Sequence, residues 1–157
     1  MTDKTTTIES IISPALARCR VEGSSKKRVL EYIARLVAGN FPSLDENTLF
    51  TNLISRERLG STGIGQGIAI PHCRLGNCDR VIGALITLAD KINFDAIDNE
   101  PVDLLFVLIV PEEATSEHLD ILSQLAQKFN EPSYCKALRN CEDDAALFAA
   151  ALNKAVK

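Results

Sequence analysis

The chain contains two histidines, His72 and His118. The first closes a stretch whose residue types suit chemistry: Arg56-Glu57-Arg58-Leu59-Gly60-Ser61-Thr62-Gly63-Ile64-Gly65-Gln66-Gly67-Ile68-Ala69-Ile70-Pro71-His72. Gly60, Gly63, Gly65 and Gly67 let the backbone approach a ligand or another strand and present N–H groups. Pro71 fixes its own φ and removes a donor, which stiffens the chain at His72 and suits an imidazole held in one orientation. Arg56, Arg58 and Arg74 supply cations able to hold an anion beside that ring. A mononucleotide loop is the competing reading, and it fails on spacing. Gly63 and Gly65 lead to Ile68, and Gly65 and Gly67 lead to Ile70, so no G-x-G-x-x-G is present. Gln66 and Gly67 stand where a phosphate loop needs Lys and Ser/Thr.

The elements that must position these residues are read from periodicity. A short strand is predicted over Leu16–Glu22. Ser24 or Ser25 then caps a helix with Val29, Leu30, Ile33, Leu36 and Val37 on its buried face, ended by Gly39-Asn40. Ser43 and Glu46 form an S-x-x-E capping box for a second helix, with Leu49, Phe50, Leu53 and Ile54 inward, running out near Arg56. Ile68–Pro71 reads as a short strand with His72 at its end. Val81–Leu88 is a strand, and Val102–Val110 is one covered on both faces, because almost nothing polar interrupts it. Thr115 or Ser116 caps a helix with Leu119, Leu122, Leu125, Ala126 and Phe129 inward. Ser133–Leu138 forms a short helix, and Ala145, Phe148, Ala151, Leu152 and Ala155 line the last one. Helices come from both ends of the chain and strands do not alternate singly with them. The expected fold is therefore α/β, a three-layer α/β/α sandwich with a mixed β-sheet.

Composition sets the outer limits. The chain has 157 residues, 46% hydrophobic and 24% charged, which is globular and points to a single domain over 1–157. The net charge of −4 argues against a basic nucleic-acid binder. Residues 1–80 carry 11 basic and 8 acidic groups, and residues 81–157 carry 6 and 13, so an anion site belongs in the first half. The cysteines, at 19, 73, 78, 135 and 141, are odd in number and lack C-x-x-C spacing, which suggests reduced thiols and no zinc site. The longest apolar run, Leu104–Val110, is far shorter than the roughly twenty residues of a membrane span. The N-terminus has no apolar leader, so a cytoplasmic location is expected.

G-S-T-G-I-G-x-G-I-A-I-P-H, residues 60–72, resembles the EIIA domains of the fructose/mannitol type in the bacterial phosphotransferase system. It is most similar to the nitrogen-regulatory branch, EIIA-Ntr. Phe94–Phe106 (F-D-A-I-D-N-x-P-V-D-L-L-F), Val110-Pro111 and His118-Leu119 extend the likeness, which runs from about Ser10 to the last helix. The resemblance implies that His72 takes a phosphoryl group from phosphorylated HPr or its nitrogen-branch paralogue NPr, through Nε2. Arg56, sixteen residues before His72, corresponds to the family's arginine, and His118 to its second histidine, a hydrogen-bond partner for the phosphoryl group. No cofactor, metal, nucleic acid or membrane insertion is implied.

The chemistry agrees. An imidazole with an ordinary pKa near ~6.5 is neutral enough to attack at cytoplasmic pH. Phosphoryl transfer depends mostly on positioning and on cationic or N–H groups that meet the equatorial oxygens. The glycine N–H groups are further candidates for that role, as are Arg58, Arg74, Ser61 and Thr62. Cys73 departs from the family, which is expected to have a small residue such as glycine there. Gln66 stands where sugar-type relatives can carry a carboxylate, which weakens a mannitol or fructose assignment. Two alternatives stay open on sequence: a sugar-specific EIIA that passes its phosphoryl group to an EIIB, and a non-catalytic interaction module. The resemblance also implies regulatory target proteins, reached by surface contact.

Overall fold

The apolar run Leu104–Val110 becomes the middle of a sheet. A computed structural model of the protein describes residues 8–113 and 117–152, with backbone alone at residues 9 and 117–119. In chain order the elements are α1 (Ile8–Ile11), β1 (Ile12–Val21), α2 (Lys26–Asn40), α3 (Glu46–Leu59), β2 (Gly63–Gly65), β3 (Ile68–Ala69), β4 (His72–Leu75), β5 (Ile82–Ile92), β6 (Val102–Pro111), α4 (Glu117–Phe129), α5 (Pro132–Arg139) and α6 (Asp144–Ala151). The sheet order is β1-β5-β6-β3-β2, and β4 also pairs with β6. β1 lies parallel to β5, β5 antiparallel to β6, and β3 and β4 parallel to β6. The sheet is mixed, as expected.

Strand alternation divides β6 between two cores. Leu105, Val107 and Ile109 pack with Val29, Leu30, Ile33, Leu49 and Leu53 of α2 and α3. Leu104, Phe106, Leu108 and Val110 pack with Ile121, Leu125, Phe129, Leu138 and Leu147 of α4, α5 and α6, and with Ile8 and Ile11 of α1. Helices thus cover both faces, giving the three-layer α/β/α arrangement.

Several boundaries differ from the sequence reading. β1 starts at Ile12 and β5 continues to Ile92. Ser25 caps α2 by accepting from Arg28 N, as predicted. The cap of α3 is Asp45 rather than Ser43, since its Oδ2 accepts from both Thr48 N and Thr48 Oγ1 at 2.8 Å. α3 does not end near Arg56 but continues to Leu59, so Arg56 lies in its last turn. Among the described side chains of α4, Ile121, Leu125 and Phe129 are buried and Leu122 is half-buried, while Ala126 is exposed. On α6 Leu147 and Ala151 are buried and Ala145 is exposed. The predicted cap at Thr115 or Ser116, the inward side chain of Leu119 and the inward Ala155 lie outside the described residues. Among the described residues no helix is long and apolar enough to cross a membrane.

Candidate functional site

His72 is the first residue of β4, not the end of the preceding strand. The cause is Pro71. It has no N–H to continue the β3 ladder, but its carbonyl accepts from Leu108 N at 2.9 Å. Pairing with β6 then resumes, with His72 opposite Leu108 and Cys73 opposite Ile109. Polar His-Cys-Arg thereby forms strand through a non-local partner.

The two nitrogens of the half-buried His72 ring face groups of opposite character. Nδ1 lies 2.7 Å from the Ile70 carbonyl oxygen. Nε2 lies 3.3 Å from Arg56 Nε, whose N–H points at it. A carbonyl only accepts and a guanidinium only donates. The pattern therefore assigns the proton to Nδ1 and the lone pair to Nε2. Arg56 is itself anchored by donation from Nη1 to Gly60 O at 3.0 Å.

Both side chains open into a cleft of about 570 Å³ lined also by Asn52, Ser55, Leu59, Cys73, Arg74, Val110 and Leu122. Leu59 stands at its rim, 84% exposed. Asn52, Ser55, Arg56 and Leu59 follow the i, i+3, i+4, i+7 spacing of α3, in a stripe that flanks the buried Leu49 and Leu53. That polar stripe is the signal that would have identified Asn52 and Ser55, which the sequence reading missed. Asn52 Nδ2 donates to Arg74 O at 2.9 Å, tying α3 to β4. Arg74 Nη1 donates to Glu112 O at 3.0 Å.

Arg56, His72 and Arg74 are thus brought together, whereas Arg58 is not. It lines a separate cavity with Lys26, Lys27, Phe50, Ile54, Glu57 and Asp95. His118 is the second residue of α4, and its side chain lies outside the described residues; Leu122 of the same helix reaches the cleft. No residue of 60–67 lines the cleft. The glycine segment instead folds into the β2–β3 hairpin, whose turn holds Gly65, Gln66 and Gly67 at φ of 104°, 59° and 80°. Gln66 N donates to Asp98 Oδ2 at 2.9 Å, Gly63 N to Ser61 Oγ at 3.0 Å and Gly60 N to Glu57 O at 3.1 Å. For Gly60 and Gly63 the expectation that glycine N–H groups meet a phosphoryl group therefore gives way to a structural role. Ser61 Oγ donates to Phe94 O at 2.7 Å and the Thr62 hydroxyl donates to Glu57, so both serve the turn rather than the cleft.

Cys73 is 8% exposed. Burial, and then the neighbouring Cys78, push its thiol up from 9.0 to about 12. Burial also raises Cys78. A thiol that keeps its proton is a poor nucleophile, so Cys73 packs beside His72 without competing with it. Among the described residues no group of three or more His, Cys, Asp or Glu could hold a metal ion.

A mixed sheet between two helical layers, with an orientated histidine and an arginine on a cleft, defines a small α/β protein that presents an imidazole on an open surface. Comparison with known proteins gives the family. The model of the phosphoenolpyruvate-dependent sugar phosphotransferase system EIIA 2 family matches residues 10–154, and the chain belongs to that family. It is 50% identical over 141 residues to a nitrogen regulatory protein of Pseudomonas aeruginosa, covering 90% of this chain and 92% of the relative. It is 43% identical over 151 residues to the nitrogen regulatory protein of Escherichia coli, covering 94% and 92%. The crystal structure of nitrogen regulatory protein IIA-Ntr from Neisseria meningitidis superposes with a TM-score of 0.83 at 38% identity, covering 92% of this chain and 98% of that one.

Proposed function

We propose that this chain is a single-domain phosphotransfer regulator of the nitrogen branch, acting in the cytoplasm. His72 accepts a phosphoryl group from a phosphorylated HPr- or NPr-type carrier, and the phosphorylated state then changes how the protein contacts its regulatory targets. The observation that carries the reading is the His72 ring itself, with Nδ1 on the Ile70 carbonyl and Nε2 facing Arg56 in an open cleft.

The chemistry follows from that ring. The Nε2 lone pair attacks phosphorus as the bond from phosphorus to its donor breaks. No proton need leave, since Nε2 carries none. The ring becomes a cationic phosphoimidazolium, and the Ile70 carbonyl dipole favours that charge through Nδ1–H. Arg56 turns from Nε2 to the equatorial oxygens, where its planar fork meets two of them. Its N–H···N contact of 3.3 Å is long and readily exchanged. Arg74, on the same cleft, adds positive potential. His118 is the second hydrogen-bonding group; the family match supports this, together with the approach of its helix to the cleft through Leu122.

Incubation with a phosphorylated carrier of either kind tests the reading. The parent chain gains one phosphoryl group and His72→Ala gains none while remaining folded. A His72→Ala variant labelled to the same extent as the parent removes His72 from the reaction.

A further inference from the structure

Glu57 is the neighbour of Arg56 in the last turn of α3 and is 8% exposed. It lines no part of the cleft that holds His72. Its carboxylate is nonetheless the most heavily engaged in the region. Oε1 accepts from Lys26 Nζ at 2.9 Å and from Thr62 N at 3.3 Å, and Oε2 accepts from the Thr62 hydroxyl. Lys26 also reaches Asp95 at 3.4 Å and lies over the Phe94 ring.

The bonds run on from Thr62 to the imidazole. The Thr62 carbonyl accepts from Ile70 N at 3.0 Å. The Ile70 carbonyl faces His72 Nδ1 at 2.7 Å. His72 Nε2 faces Arg56 Nε, and Arg56 adjoins Glu57 on α3. The contacts therefore close a circuit from α3 through Glu57, Thr62, Ile70 and His72 back to α3. Both faces of the imidazole's hydrogen bonding are referred to the same helical turn.

A buried carboxylate pays a desolvation penalty that ion pairing often only balances, so stability alone is a weak reason for this arrangement. Its geometry is better suited to fixing a position. Two carboxylate oxygens on the N–H and O–H of one threonine restrain both the backbone and the side chain there. We propose that Glu57 is a positioning residue for phosphoryl transfer: through Thr62 it sets where the Ile70 carbonyl meets Nδ1, and so which tautomer His72 adopts. The proposal rests on the reading of His72 as phosphoryl acceptor. It identifies what keeps the Nε2 lone pair aimed at the cleft.

The test uses the full chain carrying Glu57→Ala, Glu57→Gln or Thr62→Val. The first readout is the ¹⁵N shift pair of the His72 ring, which reports the tautomer. The second is the rate of phosphoryl uptake from a phosphorylated carrier. In the parent the Nδ1–H form dominates. Glu57→Ala and Thr62→Val move the population toward Nε2–H and slow uptake by roughly tenfold or more, as misplaced reacting groups do. Glu57→Gln keeps an oxygen able to accept from Thr62 and recovers most of the parent tautomer ratio, a rescue that a purely structural role does not require. If Glu57→Ala does not fold, Thr62→Val, which preserves size and the backbone N–H, takes its place. Folded variants with the parent tautomer ratio and uptake within about twofold of the parent overturn the proposal, whatever their melting temperature. Should no carrier phosphorylate the parent, the acceptor reading falls, and the tautomer comparison still decides whether Glu57 positions His72.

Discussion

An imidazole can place its proton on either nitrogen, and at His72 the neighbours decide. The Ile70 carbonyl and the Arg56 N–H make one tautomer compatible with both contacts. Arg56 is then the residue most exposed to a conservative change. Lysine keeps the charge but not the fork that meets two phosphoryl oxygens. Arg56→Lys should slow phosphoryl uptake by roughly 10²-fold, the loss typical of one donor acting on developing charge. Stability should change little, because the side chain borders an open cleft; rapid-quench labelling and thermal melts measure the two effects. Cys73 gives a second prediction. Its folded-state thiol stays protonated to about 12, against 9.0 ordinarily. The unfolded chain thus releases this proton first as pH rises. The contribution is complete below about pH 9 and is lost between 9.0 and about 12. Urea titrations should show stability falling across that window, with a slope from this group of at most about 1.4 kcal/mol per pH unit. Cys73→Ala should flatten it. A thiol reagent at neutral pH should modify Cys73 only on unfolding.

The elements around the ring divide into those that local sequence specifies and those that depend on distant pairing. Val29, Leu30, Ile33 and Val37 carry the 3.6 period, and α2 forms as read. Val102–Val110 is apolar but for Asp103, and β6 lies between two helical layers. β4 was not legible as a strand, because the alternation of His-Cys-Arg-Leu spans only four residues and is ordered by β6. On α4 a leucine-rich sequence offers two overlapping apolar stripes, and only packing on the sheet selects Ile121, Leu125 and Phe129. The glycines were correctly seen as structural exceptions, but the ligand they approach is their own chain. Gly67, at φ 80°, shows why. A Cβ there would lie 2.7 Å from Arg139 Nη2, which donates to Gln66 O and whose Nε bonds Asp103. Gly67→Ala should therefore cost about 1–2 kcal/mol from the left-handed backbone alone. It should also loosen the hairpin, seen as faster amide exchange at Gln66 and Asp103. Protection equal to the parent would mean that the arginine swings aside without consequence.

At the scale of the whole molecule, one sheet separates two cores yet joins them through β6, whose residues 104–110 alternate between them. Ile33 and Leu125 are fully buried on opposite faces. Ile33→Ala and Leu125→Ala should each destabilise by about 2–5 kcal/mol. Because the sheet stands between them, the double variant should equal the sum within about 0.5 kcal/mol. A coupling well above that in chemical denaturation would show the layers to be less independent than the packing indicates. The layered plan was readable from helices at both chain ends and a central apolar strand. The histidine proposed as acceptor was singled out in the sequence by I-P-H and by an arginine sixteen residues before it, and the two side chains meet on one cleft. The circuit through Glu57 and Thr62 was not, since nothing in a sequence fixes which way a buried carboxylate turns. The central claim is that His72 carries phosphate on Nε2, and it is tested most directly by ³¹P–¹⁵N correlation on histidine-labelled protein incubated with a phosphorylated carrier. The expected spectrum has one phosphorus coupled to Nε2 of His72, with Nδ1 still bearing its proton. A phosphorus bonded to Nδ1, or to any residue other than His72, would contradict the account.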